Sequence, residues 1–391
     1  MKMEFLTLVL ATALLLLTYY FPHLLDALRY VRKASQLPTR KPHLIFGHTL
    51  YLLVPQNRLL GRLTELIENN PPLFTIWMGP FPILAVTHPR HVEAFLGNGK
   101  IINKSYLYKF LRNWIGTGLL TSSGYKWHHH RKMLTPSFHF KMLDNFMDIF
   151  VNKSKIFVNI LKKHVGEESF DVYPCVTRCA LDIICETAMG TQGNLQEQGY
   201  SEYAMAVLET TNEIMKRVMS PWLYPSFIYN LSSCRRRINK HIKTMDNFVY
   251  EVIGERKRMN DLKRFEKQLQ EDVTNIGRKK KLTFLDMLLE CSENDNLTDE
   301  DIREEVNTFM FAGHDTVTSA ISWTIQMLAS HPEVQQTAYE EMELIFDKSD
   351  RPPSKKDLQD MKYLDMVVKE TLRMYPSVPV ITRGLKHDVT L

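Results

Sequence analysis

A chain of 391 residues that is 44% hydrophobic and 24% charged can bury a large core and is too apolar to be a disordered tail. Its net charge of +5, with no basic stripe, argues against a dedicated nucleic-acid binder and suits a membrane surface or an acidic protein partner. The five cysteines, Cys175, Cys179, Cys185, Cys234 and Cys291, form no regular framework, which points to reduced thiols facing the cytosol rather than a disulfide scaffold.

From Phe5 to Phe21 the chain is almost wholly apolar, close to the length a bilayer asks of one helix. Arg29, Arg32, Lys33, Arg40 and Lys41 follow it, while only Lys2 precedes it, so positive-inside bias leaves the body of the protein in the cytosol. No small-x-small cleavage site precedes Tyr19-Tyr20-Phe21-Pro22, so residues 1–23 are expected to be an uncleaved single-pass anchor rather than a signal peptide. Pro38, Pro42 and Gly47 break up the basic stretch over 24–47, which reads as a stiff hinge ahead of a globular region over 48–391.

Within that region Asn57 to Asn69 has amphipathic helical spacing, and Phe74–Met78 and Pro82–Val86 read as strands of a hairpin around Gly79-Pro80. From Val92 onward helical periodicity dominates, with breaks at Gly116–Gly118, Gly190, Pro221–Pro225 and Ile276–Lys281. The expected class is mainly α with a small β portion (α+β). Arg278 and Lys279–Lys281 read as a solvated loop. Cys175 and Cys179 share a helix face, but no second ligand pair joins them as a zinc site requires.

Near residue 300 begins the most informative helix. Thr298 is a good N-cap, and Asp299, Glu300 and Asp301 place negative charge in the first turn, where it is favourable. Ile302, Val306, Phe309, Gly313, Val317, Ala320 and Ile321 recur on one face, expected to be buried. Gly313 inside that helix costs about 1 kcal/mol relative to alanine. Two readings follow: a helix–helix crossing too close for a side chain, or a planar ligand lying against the backbone. Thr316 can turn its hydroxyl to the carbonyl of Ala312, and Asp315 beside it is a proton source.

Two further constellations carry chemistry. Trp127 and Arg131, four apart on a helix, point an indole N–H and a guanidinium the same way, a donor pair for a carboxylate. His128, His129 and His130 between them turn by about 100° per residue, so they cannot converge on one metal and read as mostly solvated. Glu370 and Arg373 are an i, i+3 ion pair, either a surface bridge or, among Leu364, Val367, Val368 and Leu372, a buried structural pair.

Together these motifs resemble the cytochrome P450 haem-thiolate monooxygenases, from the anchor to Leu391. Ala312-Gly313-His314-Asp315-Thr316 matches the family's oxygen-activating motif, Trp127 and Arg131 its propionate contact, and Glu370 and Arg373 its Glu-x-x-Arg pair. The wording is similar to family 4, which includes fatty-acid ω-hydroxylases, through Trp114–Thr121, His130–Phe140, Phe309–Thr316 and Tyr375–Pro379. The resemblance implies haem b held by Trp127, Arg131, Ala312, Gly313, Thr316 and Arg383, a proton relay of Asp315 and Thr316, and a substrate pocket lined by Val378–Ile381. Substrate contacts are also expected from Lys100–Trp114 and around Glu209–Tyr229.

Two departures accompany it. Many members of family 4 carry a glutamate that esterifies a haem methyl where Ala312 stands, so the haem is expected to be held non-covalently. None of the five cysteines has the flanking pattern of the family's iron ligand, and all lie upstream of Glu370, so no metal ligand is assigned and the catalytic domain reads as C-terminally truncated. The implied function is a haem-dependent monooxygenase inserting one atom of dioxygen into a fatty-acid-like or other lipophilic substrate. It would be reduced by an NADPH-dependent flavoprotein reductase at the endoplasmic reticulum membrane, with lipid as its other partner and no nucleic acid. The alternative is a catalytically inactive, membrane-anchored form unable to ligate haem iron.

Overall fold

The computed structural model describes residues 25–99, 101–138, 146–270, 283–294, 297–385 and 389. The expected anchor over 1–23 and the expected break and lysine run at 276–281 lie outside them. Among the described residues no helix is long and apolar enough to cross a membrane.

The longer helices are α1 (Gln56–Glu68), α2 (Pro89–Leu96), α3 (Gly124–Leu134), α4 (Met147–Lys162), α5 (Tyr173–Ile184), α6 (Glu202–Val218), α7 (Ser233–Gln270), α8 (Phe284–Asn294), α9 (Asp299–Ser330), α10 (Pro332–Phe346) and α11 (Lys362–Met374). Strands β1 (Leu73–Met78) and β2 (Phe81–Val86) pair antiparallel, Phe74 opposite Ala85 and Met78 opposite Phe81. The chain forms two units, one from residues up to 101 with 214–235, the other from 102–213 with 236–385.

In the first unit the hairpin carries the core. Phe74 and Met78, an even number of residues apart, face the same side and pack with Leu52 and Leu66. The end of the expected hinge lies against this hairpin. The carbonyl of Pro38 accepts from Thr75 N–H at 2.9 Å, and Gly47 bridges to Met78. Gly47 has φ of 56°, and a Cβ there would strike the Trp77 carbonyl, so only glycine lets the chain lie this close to the strand. At the turn, Gly79 meets the ring of Pro221, and Phe81 packs on Tyr224 with ring centroids 5.3 Å apart. Leu44, Ile45, Phe227 and Leu231 stay exposed on this unit.

The second unit is organised around α9. Its start is a full capping box: Thr298 Oγ1 accepts from Asp301 N–H at 3.1 Å while Asp301 accepts from Thr298 N–H at 3.2 Å. Helices α7 and α8 are locked by Arg256, whose Nε and Nη2 reach the two oxygens of Asp286 at 2.8 and 2.5 Å, a buried bidentate pair. Phe309 stacks between Phe138 at 5.2 Å and Phe284 at 4.3 Å.

The expected buried face of α9 holds only in its first half. Ile302 and Val306 are buried, but Val317 is 44% and Ile321 38% exposed. From Met310 on, the buried positions are His314, Thr318 and Ser322, four residues apart. The apolar face therefore turns outward beyond Gly313 in the second half.

Candidate functional site

The middle of α9 holds the oxygen-chemistry motif. A Cβ on Gly313 would sit 2.7 Å from Ile184 Cδ1, so the missing side chain serves a close crossing of α5 over α9. Of the two readings of Gly313, the structure supports that crossing. Thr316 Oγ1 donates to the Ala312 carbonyl at 2.8 Å, as its sequence position suggests, and α9 remains a continuous helix through it. The carbonyl of Thr316 also accepts from Ser377 Oγ at 2.9 Å, tying the motif to the segment after α11.

Asp315 is largely buried, and burial raises its pKa, offset by neighbouring His314 and by a Tyr173 hydroxyl 3.4 Å away. Tyr173 is itself pushed up to about 12, by burial first and by Asp315 second, so its hydroxyl keeps its proton. His314 donates from Nδ1 to the Met310 carbonyl at 2.6 Å, and burial lowers its pKa, which keeps the imidazole neutral. The centre of α9 thus carries a carboxyl group whose protonated form is favoured relative to that of a surface aspartate.

A second cluster gathers cationic side chains; Arg383 Nη1 donates to the Thr382 carbonyl at 3.1 Å. Lys104 and Arg383 form an antiparallel bridge, and Lys104 Nζ lies 6.0 Å from the Trp127 ring centre. Burial and then the charge of Arg383 lower the Lys104 pKa. Ser105 Oγ and Thr382 Oγ1, 2.6 Å apart, and Ser123 Oγ, which accepts from Lys104 N–H at 2.9 Å, hold the strands of this cluster together. Arg131 is exposed, one turn from Trp127 on α3. Among the described residues no carboxylate pairs with Lys104, Arg131 or Arg383. Lys104 was not singled out from the sequence, since a lone lysine ahead of a loop carries no pattern; only the bridge to Arg383 reveals it.

His130 departs from the solvated reading. His128 and His129 are exposed, but His130 is buried and its Nδ1 lies 2.6 Å from Glu305 Oε1. Glu305 is 0% exposed, and its other oxygen accepts from Leu119 N–H at 3.2 Å. One turn earlier on α3, Lys126 Nζ donates to Asp301 at 2.7 Å, Glu304 at 3.4 Å and Thr117 at 2.7 Å. Although burial works against it, the hydrogen bonds from Lys126 and Thr298 hold the Asp301 pKa down at about 2. Thr117 in turn donates to Glu304 at 2.9 Å. The signal in the sequence was the spacing of Lys126, His130 and Leu134, an i, i+4, i+8 row beside the Trp127–Arg131 row.

Glu370 and Arg373 make two hydrogen bonds, at 2.7 and 2.8 Å, with side chains 57% and 68% exposed. Of the two readings, this is a surface pair within the described structure, on the wall of an open groove of about 410 Å³ lined by Met327, His331, Tyr363, Met366 and Met374. Val378, Val380 and Ile381 are exposed, so the expected substrate-lining segment presents an apolar surface rather than a closed wall.

Haem is the group the resemblance implies. The cationic cluster of Lys104, Trp127, Arg131 and Arg383 suits its two propionates. Cys175, Cys179, Cys185 and Cys234 are buried, and burial pushes the Cys179 and Cys185 thiols up to about 12, away from the thiolate form. Cys291 is half-buried on α8.

A profile of the cytochrome P450 family matches residues 37–391. The chain is 46% identical over 328 residues to cytochrome P450 4c21 of Blattella germanica, covering 84% of this chain and 65% of that protein. It is 40% identical over 379 residues to cytochrome P450 4V2 of Mus musculus, covering 94% of this chain and 71% of the relative. Against cytochrome P450 4c3 of Drosophila melanogaster the figures are 38% over 392 residues, 98% and 73%. The chain thus spans about two thirds of the length of the curated relatives it matches. All three relatives carry family 4 names, in line with the wording of the Trp114–Thr121 and Phe309–Thr316 stretches.

Proposed function

The chain belongs to the cytochrome P450 family, and from that premise we propose that it serves a membrane-bound, haem-dependent monooxygenase. The reaction inserts one atom of dioxygen into a C–H bond of a long lipophilic substrate, fatty-acid-like in class. When bound, haem supplies the oxygen-activating redox chemistry. The residues here do the rest: Lys104, Trp127, Arg131 and Arg383 hold its propionates, and the Ala312 methyl leaves the attachment non-covalent. Asp315 and Thr316 carry protons to the reacting oxygen. Burial favours the protonated form of Asp315, and the Thr316 hydroxyl lies one residue along the helix. Glu370 and Arg373 organise the scaffold beside the iron-ligand region.

The carrying observation is the half-buried Asp315, raised in pKa and adjacent to Thr316 on α9. Electrons are proposed to come from an NADPH-dependent flavoprotein reductase, for which the net charge of +5 is suited. The apolar stretch Phe5–Phe21 and the exposed Leu44, Ile45, Phe227 and Leu231 of the first unit support a location at the endoplasmic reticulum membrane. The test is absorbance of the reduced, carbon-monoxide-bound form, followed by product analysis with Thr316→Ala. A thiolate-type band, and oxygen consumption uncoupled from product in the variant, support the reading; unchanged coupling overturns the relay.

A second reading rests on the cysteines. With none of the five placed as an iron donor, this chain alone holds porphyrin without activating oxygen. The same spectrum decides, since a bound porphyrin lacking the thiolate-type band favours this inactive form.

A further inference from the structure

Helix α3 presents two neighbouring rows of side chains. Trp127 and Arg131 make one, and Lys126 and His130, a turn apart and about 100° around, make the other. The second row is fixed to α9 at two heights. At the inner point, buried His130 donates from Nδ1 to Glu305, whose other oxygen receives the Leu119 N–H. At the outer point, Lys126 reaches Asp301, Glu304 and Thr117. Two contacts one turn apart set both the rotation of α3 about its axis and its slide along α9. Whatever sets that rotation also sets where the indole and guanidinium of the first row point.

Glu305 has no packing reason to be charged. A fully buried carboxylate costs desolvation that an apolar residue would avoid, and such a group is retained where its geometry specifies an arrangement. Arg131, by contrast, has no carboxylate partner among the described residues, so its direction is not set by its own contacts.

We propose that Glu305 and His130 are positioning residues for the Trp127–Arg131 anion site, holding α3 at the rotation in which both donors face the propionates. This rests on the reading that those donors hold haem. The orienting contact is a hydrogen bond, not bulk, so its geometry rather than its volume is what the site needs. His130→Asn retains an N–H donor near the Nδ1 position and keeps the contact. Glu305→Gln has one acceptor oxygen in place of two, so either His130 Nδ1–H or the Leu119 N–H is left facing an amide N–H.

The experiment measures porphyrin affinity by quenching of tryptophan fluorescence, with haemin and with iron-free protoporphyrin IX, so that iron ligation is separated from propionate binding. Wild type, Glu305→Gln, His130→Asn, Arg131→Gln and the double variant Glu305→Gln/Arg131→Gln are compared. Glu305→Gln weakens both porphyrins about tenfold, the scale of lost orienting contacts. His130→Asn stays within about twofold of wild type, and in the Arg131→Gln background Glu305→Gln adds less than about twofold, because the donor it orients is gone. Equal loss with and without Arg131, or no loss at all, overturns the positioning role while leaving the haem reading intact. A wild-type chain that binds neither porphyrin overturns the haem reading and this inference with it.

Discussion

The two halves of α9 are built on opposite principles. From Ile302 to Met310 the helix is enclosed, and its charged groups are held by neighbours: Arg303 by Glu300 and Asp246, Glu304 by Thr117 and Lys126, Glu305 by His130. From Phe311 onward apolar Val317 and Ile321 face outward, while buried Thr318 and Ser322 have hydroxyls with no partner among the described residues. The first half is a frame whose contacts fix direction. The second half carries Asp315 and Thr316, and its packing leaves one face free. Paired charged groups mark the buried part of the first half, whereas unpaired buried hydroxyls and exposed apolar side chains mark the second.

That contrast is testable, beginning with the largest effect. Glu305→Ala strands His130 and the Leu119 N–H without an acceptor and is expected to cost roughly 3 to 5 kcal/mol in urea unfolding, against under about 1 kcal/mol for Val317→Ala on the open half. Equal losses would erase the distinction. Next, Gly313→Val drives a side chain into Ile184 and costs about 1 to 3 kcal/mol, with Ile184→Ala in the same chain restoring part of it. If Ile184→Ala gives no relief, the crossing of α5 is not what the glycine serves.

Smaller still is the pH effect at Asp315. Its folded pKa lies above the unfolded value, so the folded state binds the extra proton between the two and stability falls as pH rises through that window. Asp315→Asn is expected to be more stable than wild type above the window and equal to it below, read as thermal midpoints across pH. At the bottom of the scale, Glu370→Gln on the exposed pair leaves the unfolding midpoint of this chain unchanged, although Arg373 holds the Glu370 pKa below its usual value. A clear drop there would show that the pair is enclosed in solution.

Much of this was legible in residue order because it depends on local chemistry. Helical period, the Thr298 cap with its acidic first turn, and the hairpin around Gly79 are short-range, and the helix over Asn57–Asn69 and both strands appear within a residue or two of their expected bounds. The bond from Thr316 to Ala312 is likewise within one turn. The motif identities pointed to the family before any contact was known, since Asp315-Thr316, Trp127 with Arg131, and Glu370 with Arg373 are matters of residue type and spacing. What was misjudged needed partners far along the chain: the burial of His130 and the face of α9 turned outward.

Sequence by itself therefore determined the family, the helical class and the residues able to do acid and anion chemistry, because side-chain type and spacing are properties of the chain alone. Only the tertiary structure decided that Gly313 makes room for Ile184, that Lys104 joins Arg383 and Trp127, and that Glu305 takes His130. Each of these rests on two segments brought together by packing. Their distances are set by how helices cross, and no local pattern encodes that.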